Sequence, residues 1–178
     1  MGDVDQPCPV LARLLRLAPV FLLLLVCGCD TVNTWWEKRQ PSYELALFRL
    51  PDETDRASRK PLAELQDFTG RTTVVAATPL LTSARILTVE PVTEANGEIR
   101  ALRIKPDDRG RHFWMEACTS YPDSNLVIVV DGWVHGLVRA RANEAANRSI
   151  LLPGPWGQAE VAEITSHAEN NYRYYNPR

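Results

Sequence analysis

The distribution of apolar residues between positions 43 and 152 predicts a chain built largely from β-strands. Aliphatic and β-branched residues are concentrated in short segments that turn-forming residues separate, which is typical of strands packed on a core. The segments predicted as strands are residues 43–50, 72–77, 85–92, 98–105, 126–130, 133–141 and 149–152. Asn96 and Gly97 join two of them, because this pair tolerates the positive φ angles of a tight hairpin.

Helical spacing is found in three other places. Residues 107–119 begin with Asp107, a residue type that caps helices, and their spacing of three and four puts five residues on one face: Gly110, Phe113, Trp114, Ala117 and Cys118. Residues 158–168 do the same with Val161, Ile164, Thr165 and Ala168. Residues 61–68 are predicted as a short helix from the spacing of Leu62 and Leu65, and residues 51–60 as a charged loop.

The wholly apolar residues 126–130 predict the centre of a sheet, and Asp131-Gly132 predicts the hairpin turn that follows. In the returning strand, strict alternation would place Val134, Val138 and Ala140 on the core side. The opposite side would then carry Trp133, His135, Leu137, Arg139 and Arg141. An aromatic ring beside arginines is typical of an interaction surface, so these five residues are the candidate binding site. Two alternatives remain, since residues 43–77 could cover this face or it could simply be solvated.

Strands joined by hairpins, with two longer helices, indicate the α+β class. We expect an antiparallel sheet with the helices of residues 107–119 and 158–168 packed on one face.

The first 29 residues have a different pattern. Arg13 and Arg16 precede the apolar residues 17–26, and Val26-Cys27-Gly28-Cys29 follows. A positive segment, a short apolar segment and a small residue before the cut are the features of an export signal, and the apolar run is too short to cross a bilayer. The last four residues resemble the lipobox of bacterial lipoproteins, in which the cysteine after the cut carries diacylglycerol. That resemblance implies that Cys29 is lipidated; an uncleaved anchor helix is the alternative.

These features divide the chain into a signal peptide (residues 1–28), a membrane-proximal tether (29–42) and one extracytoplasmic domain (43–178). In the tether, Trp35 and Trp36 would rest either on the headgroup layer or on the domain edge. We expect the protein to be held by lipid on the extracytoplasmic side of a bacterial membrane. Asp30 after the lipidated cysteine resembles a signal for retention in the inner membrane, but which membrane holds the protein stays open.

Charge and chemistry exclude several classes of function. The chain has 20 basic and 22 acidic residues, which gives no excess of positive charge for nucleic acid. None of the three histidines, His112, His135 and His167, belongs to a metal-binding or nucleophile motif, so we expect no metal and no cofactor. Asp107 and Asp108 suit a helix start better than an acid–base pair, and Cys118 suits a small buried apolar residue. Residues 151–157, rich in proline and glycine, could be a binding loop or a plain connection.

The order of elements in residues 98–169 resembles the head subdomain of the first periplasmic domain of SecD, from the SecD/SecF family of protein-export subunits. The resemblance is carried by Leu102-Arg103-Ile104, by the helix with Gly110 and Phe113, and by the apolar strand that ends in Asp131-Gly132-Trp133-Val134. It covers about residues 80–169. It departs from the family at His135-Gly136-Leu137, at residues 143–148 and at Trp156-Gly157. It implies a ferredoxin-like, SecD head-like fold.

The resemblance also implies a surface that faces polypeptides, although not translocation itself, because no multi-helix membrane portion is present. We therefore expect a non-catalytic binding or accessory module of the cell envelope that acts on protein or peptide partners. The alternative is an extracytoplasmic hydrolase-like or metal-dependent enzyme that uses His112 or His135, with Cys118 as a distant candidate nucleophile.

Overall fold

The computed structural model describes residues 40–177, except for the side chain of Thr54. The signal peptide, Cys29, Trp35 and Trp36 lie outside the described residues. The described part contains nine strands: β1 (Leu45–Arg49), β2 (Leu62–Asp67), β3 (Thr72–Ala76), β4 (Leu81–Thr82), β5 (Ile86–Thr93), β6 (Ile99–Pro106), β7 (Asn125–Val130), β8 (Trp133–Arg139) and β9 (Ile150–Pro153). It also contains the helices α1 (Glu53–Ala57), α2 (Asp108–Ser120) and α3 (Gln158–Tyr175).

The strands form two sheets where the sequence predicted one. The large sheet has the order β3-β2-β8-β7-β1-β4, and the small sheet has the order β5-β6-β9. All strand pairs are antiparallel except β2 and β8, which run parallel over two residue pairs. The predicted α+β class is confirmed. Within the described residues, no helix is long and apolar enough to cross a membrane.

The main core lies between the two sheets and the longer helices. Both sheets and both longer helices contribute buried residues to it, including Leu47, Ile128, Leu102, Ile150, Trp114, Cys118, Val161 and Ile164. Asp107 caps α2 as predicted, because its carboxylate accepts a hydrogen bond of 2.7 Å from the backbone N–H of Gly110. The predicted buried face of α2 is correct except at Phe113, which is 41% exposed.

A second core lies on the other face of the large sheet. Val75, Val127 and Val129 form its centre, and Phe48 and Leu65 pack against them. β3 contacts β1 although three strands separate them in the sheet, so the sheet curls around this second core. Strand β7 is therefore covered on both faces, as its wholly apolar sequence predicts.

A β-bulge interrupts the pairing of β7 with β8. Ile128 pairs with Gly136 but Val129 pairs with Val134, which leaves His135 as an additional residue in β8. An additional residue reverses the faces that later residues occupy. The strict alternation predicted for residues 133–141 is therefore wrong.

The packing of β8 shows this reversal. Val134 packs against the second core, while Val138 and Ala140 belong to the main core.

Residues 61–68 form strand β2 rather than the predicted helix. Ala63 and Leu65 are half-buried and alternate with the exposed Leu62, Glu64 and Gln66, which is the two-residue repeat of a strand. The spacing of Leu62 and Leu65 suggests a helix, but only Leu65 of this pair lies on the half-buried face of the strand. Pairing with both β3 and β8 stabilises the strand.

The predicted loop 51–60 contains the short helix α1, which has an ionic anchor in place of an apolar face. Asp55 is buried, and its carboxylate contacts the Arg49 guanidinium and lies 2.9 Å from the Lys60 ammonium. The hydrogen bond from Lys60, together with Arg49 and the backbone N–H of Asp52, holds the pKa of Asp55 well below its ordinary value despite burial. An apolar periodicity could not detect such a helix.

The hairpin residue Asp131 also fixes the chain where it enters the domain. Asp131 and Gly132 form the predicted turn with positive φ angles of 47° and 84°. The carboxylate of Asp131 accepts hydrogen bonds from the backbone N–H groups of Tyr43, at 3.0 Å, and Glu44, at 2.7 Å. The buried Asn171 of α3 bonds both backbone groups of Ser42.

Candidate functional site

The most distinctive surface of the described residues is a row of aromatic rings, which we call the aromatic patch. It consists of Phe68, Trp133, His135 and Trp156. They come from the turn after β2, the start of β8, the bulge in β8 and the connection before α3. The parallel pairing of Gln66 with Trp133 brings the first two of these elements together.

The rings are in contact along the whole row. Phe68 stacks on Trp133 with centroids 5.6 Å apart and planes inclined by 14°. Phe68 and His135 make an edge-to-face contact, with ring centroids 4.9 Å apart. His135 stacks in turn on Trp156 at 5.2 Å. Such offset and edge-to-face arrangements are the favourable geometries of aromatic pairs.

One half of the patch is exposed and the other half is largely covered. Phe68 is 67% exposed and Trp133 is 44% exposed, whereas Trp156 is buried. The indole N–H of Trp156 donates a hydrogen bond of 3.0 Å to the carbonyl of Leu152. The exposed pair therefore rests, through Phe68, on the half-buried His135 and the buried Trp156.

Gly154 allows Trp156 to fold back onto the sheet. A Cβ atom at this position would lie 3.2 Å from Nε1 of the indole ring. Residues 151–157 therefore do more than connect β9 to α3, because they place one ring of the patch.

A carboxylate lies beside the imidazole at the centre of the patch. His135 Nε2 is 2.9 Å from Oε1 of Glu160, in the first turn of α3. Burial lowers the pKa of His135 below its ordinary value of 6.5, and the nearby Glu160 charge opposes this only in part. The neutral imidazole is therefore favoured at neutral pH.

We predict that mild acid destabilises the protein through His135. The unfolded chain takes up a proton near pH 6.5 while the folded chain does so only at lower pH, so stability falls as the pH drops through this window. The melting temperature should decrease between about pH 7.5 and pH 5.5, and His135→Gln should flatten this decrease. The matched control is His112→Gln, because His112 is exposed on α2. An unchanged slope in His135→Gln would contradict the prediction.

The structure divides the five residues that the sequence placed on one face. Trp133 pairs with Val130, a member of the main core, and with His135 it belongs to the aromatic patch. Beyond the bulge, Leu137, Arg139 and Arg141 line a separate groove between β8 and the small sheet. The idea of a single five-residue patch is therefore corrected to two neighbouring surfaces.

Three members of the site were not among the sequence candidates. The sequence predicts Phe68 at the end of a helix and Trp156 in a loop, and Glu160 lies in the helix predicted for residues 158–168. Phe68 is flanked by Asp67, Thr69 and Gly70, which favour an exposed turn, and a large apolar ring is unusual in such a turn. This is the one signal in the sequence that points to Phe68.

The groups considered for catalysis do not line one common cleft among the described residues. His112 is on α2 beside a cleft of about 380 Å³, where Asp108 and Asn147 also lie. Cys118 is buried as predicted, and burial raises the pKa of its thiol to about 11, which disfavours the reactive thiolate. No group of three or more His, Cys, Asp or Glu side chains in residues 40–177 is arranged to hold a metal ion.

The two helix-start carboxylates have separate partners. Arg85 lies 3.4 Å from Asp107, and Arg111 lies 2.5 Å from Asp108. This agrees with the capping role predicted for the pair.

An α+β domain with a surface row of aromatic rings is the class that these observations define. Two solved structures of SecDF are similar to it. One, described as a membrane component that enhances protein export, has a TM-score of 0.54 and 16% identity over 78% of this chain and 67% of that chain. The other, SecDF in a super-membrane-facing form, has a TM-score of 0.53 and 18% identity over 73% of this chain and 19% of that chain.

At these identities the likeness concerns the fold, and the predicted resemblance to SecD is confirmed at that level. The superposition covers a larger part of the chain than the predicted residues 80–169. A search against protein-family profiles gave no match, and no curated protein matches the sequence.

Proposed function

We propose that this protein is a lipid-anchored, extracytoplasmic accessory module that binds polypeptide segments through the aromatic patch without catalysis. The observation that carries the proposal is the exposed stack of Phe68 on Trp133, supported from below by His135 and Trp156. Large aromatic side chains held in place beforehand are the residues that contribute most to binding proteins.

Exposed aromatic rings suit a partner of variable sequence. A partner can cover the exposed parts of Phe68 and Trp133, and the two rings lose little conformational freedom because each has only two side-chain torsions. An extended polypeptide supplies aliphatic and aromatic side chains that such rings can cover. A site of this kind recognises apolar content more than a defined motif.

The fold supports a role near protein export. SecDF is described as enhancing protein export, and this chain has the fold of part of it. We propose that the domain contacts exported or envelope polypeptides on the outer side of a membrane.

The binding test removes the exposed pair of rings. In Phe68→Ala, Trp133→Ala, affinity for a fluorescein-labelled neutral peptide of alternating Leu and Ser with a central Phe should fall at least about tenfold, a free-energy loss of about 1.4 kcal/mol. Fluorescence anisotropy measures the affinity. The melting temperature should fall only slightly from that of the wild type, because Phe68 is 67% exposed and Trp133 is 44% exposed and neither belongs to the buried core.

Tyr174→Ala is the matched control. Tyr174 is an aromatic residue that is 52% exposed, and it lies fourteen residues beyond Glu160 on α3, about 21 Å along the helix axis. The control should bind as the wild type does. Equal affinity in the double variant and the wild type would refute binding through the patch.

A separate experiment tests the anchor. We predict that Cys29→Ser leaves an unprocessed or soluble protein, because each buried CH₂ of an acyl chain contributes about 0.8 kcal/mol to membrane binding. Labelled palmitate should enter the wild-type protein and a Cys8→Ser control equally. Incorporation into Cys29→Ser at the wild-type level would contradict lipidation at this cysteine.

A further inference from the structure

A second surface, which we call the arginine groove, lies between β8 and the small sheet. It encloses a cavity of about 610 Å³, and four arginines line it: Arg100, Arg103, Arg139 and Arg141. Glu144 is the one carboxylate among the described residues that line it. The groove is thus strongly basic in a chain whose formal net charge is −2.

These arginines are largely available to a ligand. Among residues 40–177, neither Arg100 nor Arg103 is in a salt bridge, although Glu90 of β5 lies directly opposite Arg103 in the sheet. Arg139 and Arg141 contact Asp123 and Glu144 at 3.2 and 3.6 Å, but both arginine side chains are more than half exposed. Exposed pairs of this kind contribute at most about 1 kcal/mol, so an incoming carboxylate can replace them.

Apolar side chains accompany the arginines. Leu137 on β8 and Leu151 on β9 are 48% and 47% exposed, and both line the groove. Half-exposed leucines beside guanidinium groups that outnumber the carboxylates lining the groove match a ligand that carries negative charge and apolar groups together.

The spacing along the end of β8 and the two residues after it indicates the form of that ligand. Leu137, Arg139 and Arg141 follow one another at every second residue, and the backbone at Arg141 is extended, with φ −103° and ψ 136°. Such residues are about 6.8 Å apart, which is also the spacing of side chains on one face of an extended peptide. Acidic residues at every second position would meet Arg139 and Arg141 in register.

We propose that the arginine groove binds an acidic, extended peptide segment with interspersed apolar residues. Two other anionic partners fit less well. A flat anionic membrane would meet the guanidinium groups but not the leucines of a concave groove. Single-stranded nucleic acid relies on aromatic rings for base stacking, and the described residues that line the groove include none.

The test uses the full-length protein, purified in detergent, and short labelled peptides. A peptide of alternating Glu and Leu should bind, and alternating Lys and Leu should not. Arg103→Glu, Arg139→Glu should weaken binding at least about tenfold, and raising NaCl from about 50 mM to about 500 mM should weaken binding to the wild type. Arg103→Gln, Arg139→Gln gives a second, milder variant that should weaken binding less.

Arg109→Glu is the control for reversing an arginine charge outside the groove, because Arg109 is exposed on α2 and does not line the groove. It should bind the acidic peptide as the wild type does. Phe68→Ala, Trp133→Ala should also retain this binding, which separates the groove from the aromatic patch. Equal loss in Arg109→Glu, or no binding by the wild type, would overturn the proposal. A third outcome would also overturn it: the wild type binds vesicles with anionic lipid, the groove variant does not, and the acidic peptide binds neither protein.

Discussion

Replacing Ile128 by Asp is expected to prevent folding. Ile128 is fully buried at the centre of β7, where it pairs with Leu47 of β1 and Gly136 of β8. A carboxylate at this position must lose its hydration or take up a proton, and either costs several kcal/mol. The total stability of a domain is only about 5–15 kcal/mol, and the variant also loses the packing of the isoleucine.

Circular dichroism and a thermal melt measure this result. Ile128→Val is the matched control, since it removes a single methylene at a cost of about 0.5–1.5 kcal/mol and should still melt cooperatively. A cooperative melt of Ile128→Asp at the wild-type temperature would contradict the central position of β7.

The second large effect is expected from Gly110→Ala in α2. Alanine is favoured over glycine inside a helix by about 1 kcal/mol, so helix propensity alone predicts a gain. At this site, however, a Cβ atom would lie 2.8 Å from Cβ of Pro106 and 2.9 Å from the carbonyl oxygen of Arg85. Backbone and proline ring move little, so we expect a net loss of about 1–3 kcal/mol from overpacking.

Denaturant unfolding gives the size of this loss. Gly157→Ala is the control, because the nearest atom to its added Cβ would be 3.9 Å away. Gly157 is the N-cap of α3, so the control should lose only the cost of alanine at that position, about 0.5–1 kcal/mol. A stabilised Gly110→Ala would show that α2 does not pack closely on Pro106 and Arg85.

The sequence predicts the main core well, because the responsible patterns are local. The apolar run of β7, the turn at Asp131-Gly132 and the cap at Asp107 each depend on neighbouring residues alone. Strands with few apolar residues on the buried face are harder to recognise from sequence. Residues 61–68 satisfied a helical spacing by coincidence, and only pairing with β3 and β8 decides for a strand.

The site is predicted less well, because a single additional residue controls it. The bulge at His135 depends on how β7 and β8 pair, which alternation along β8 alone does not determine. The sequence therefore grouped Trp133 with Arg139, although the structure places them on different surfaces. Phe68 and Trp156 join the patch through parallel pairing and a folded loop, which are contacts between distant parts of the chain.

The most direct test of binding through the aromatic patch follows the indole N–H signals of the full-length protein by NMR during addition of the neutral apolar peptide. The indole of Trp133 is exposed in the patch, whereas Trp114 is buried and its N–H donates to the carbonyl of Glu144 at 3.1 Å. We expect the Trp133 signal to shift with a saturable dependence on peptide concentration while the Trp114 signal stays in place. A stationary Trp133 signal, or equal shifts at Trp133 and Trp114, would contradict the proposed site.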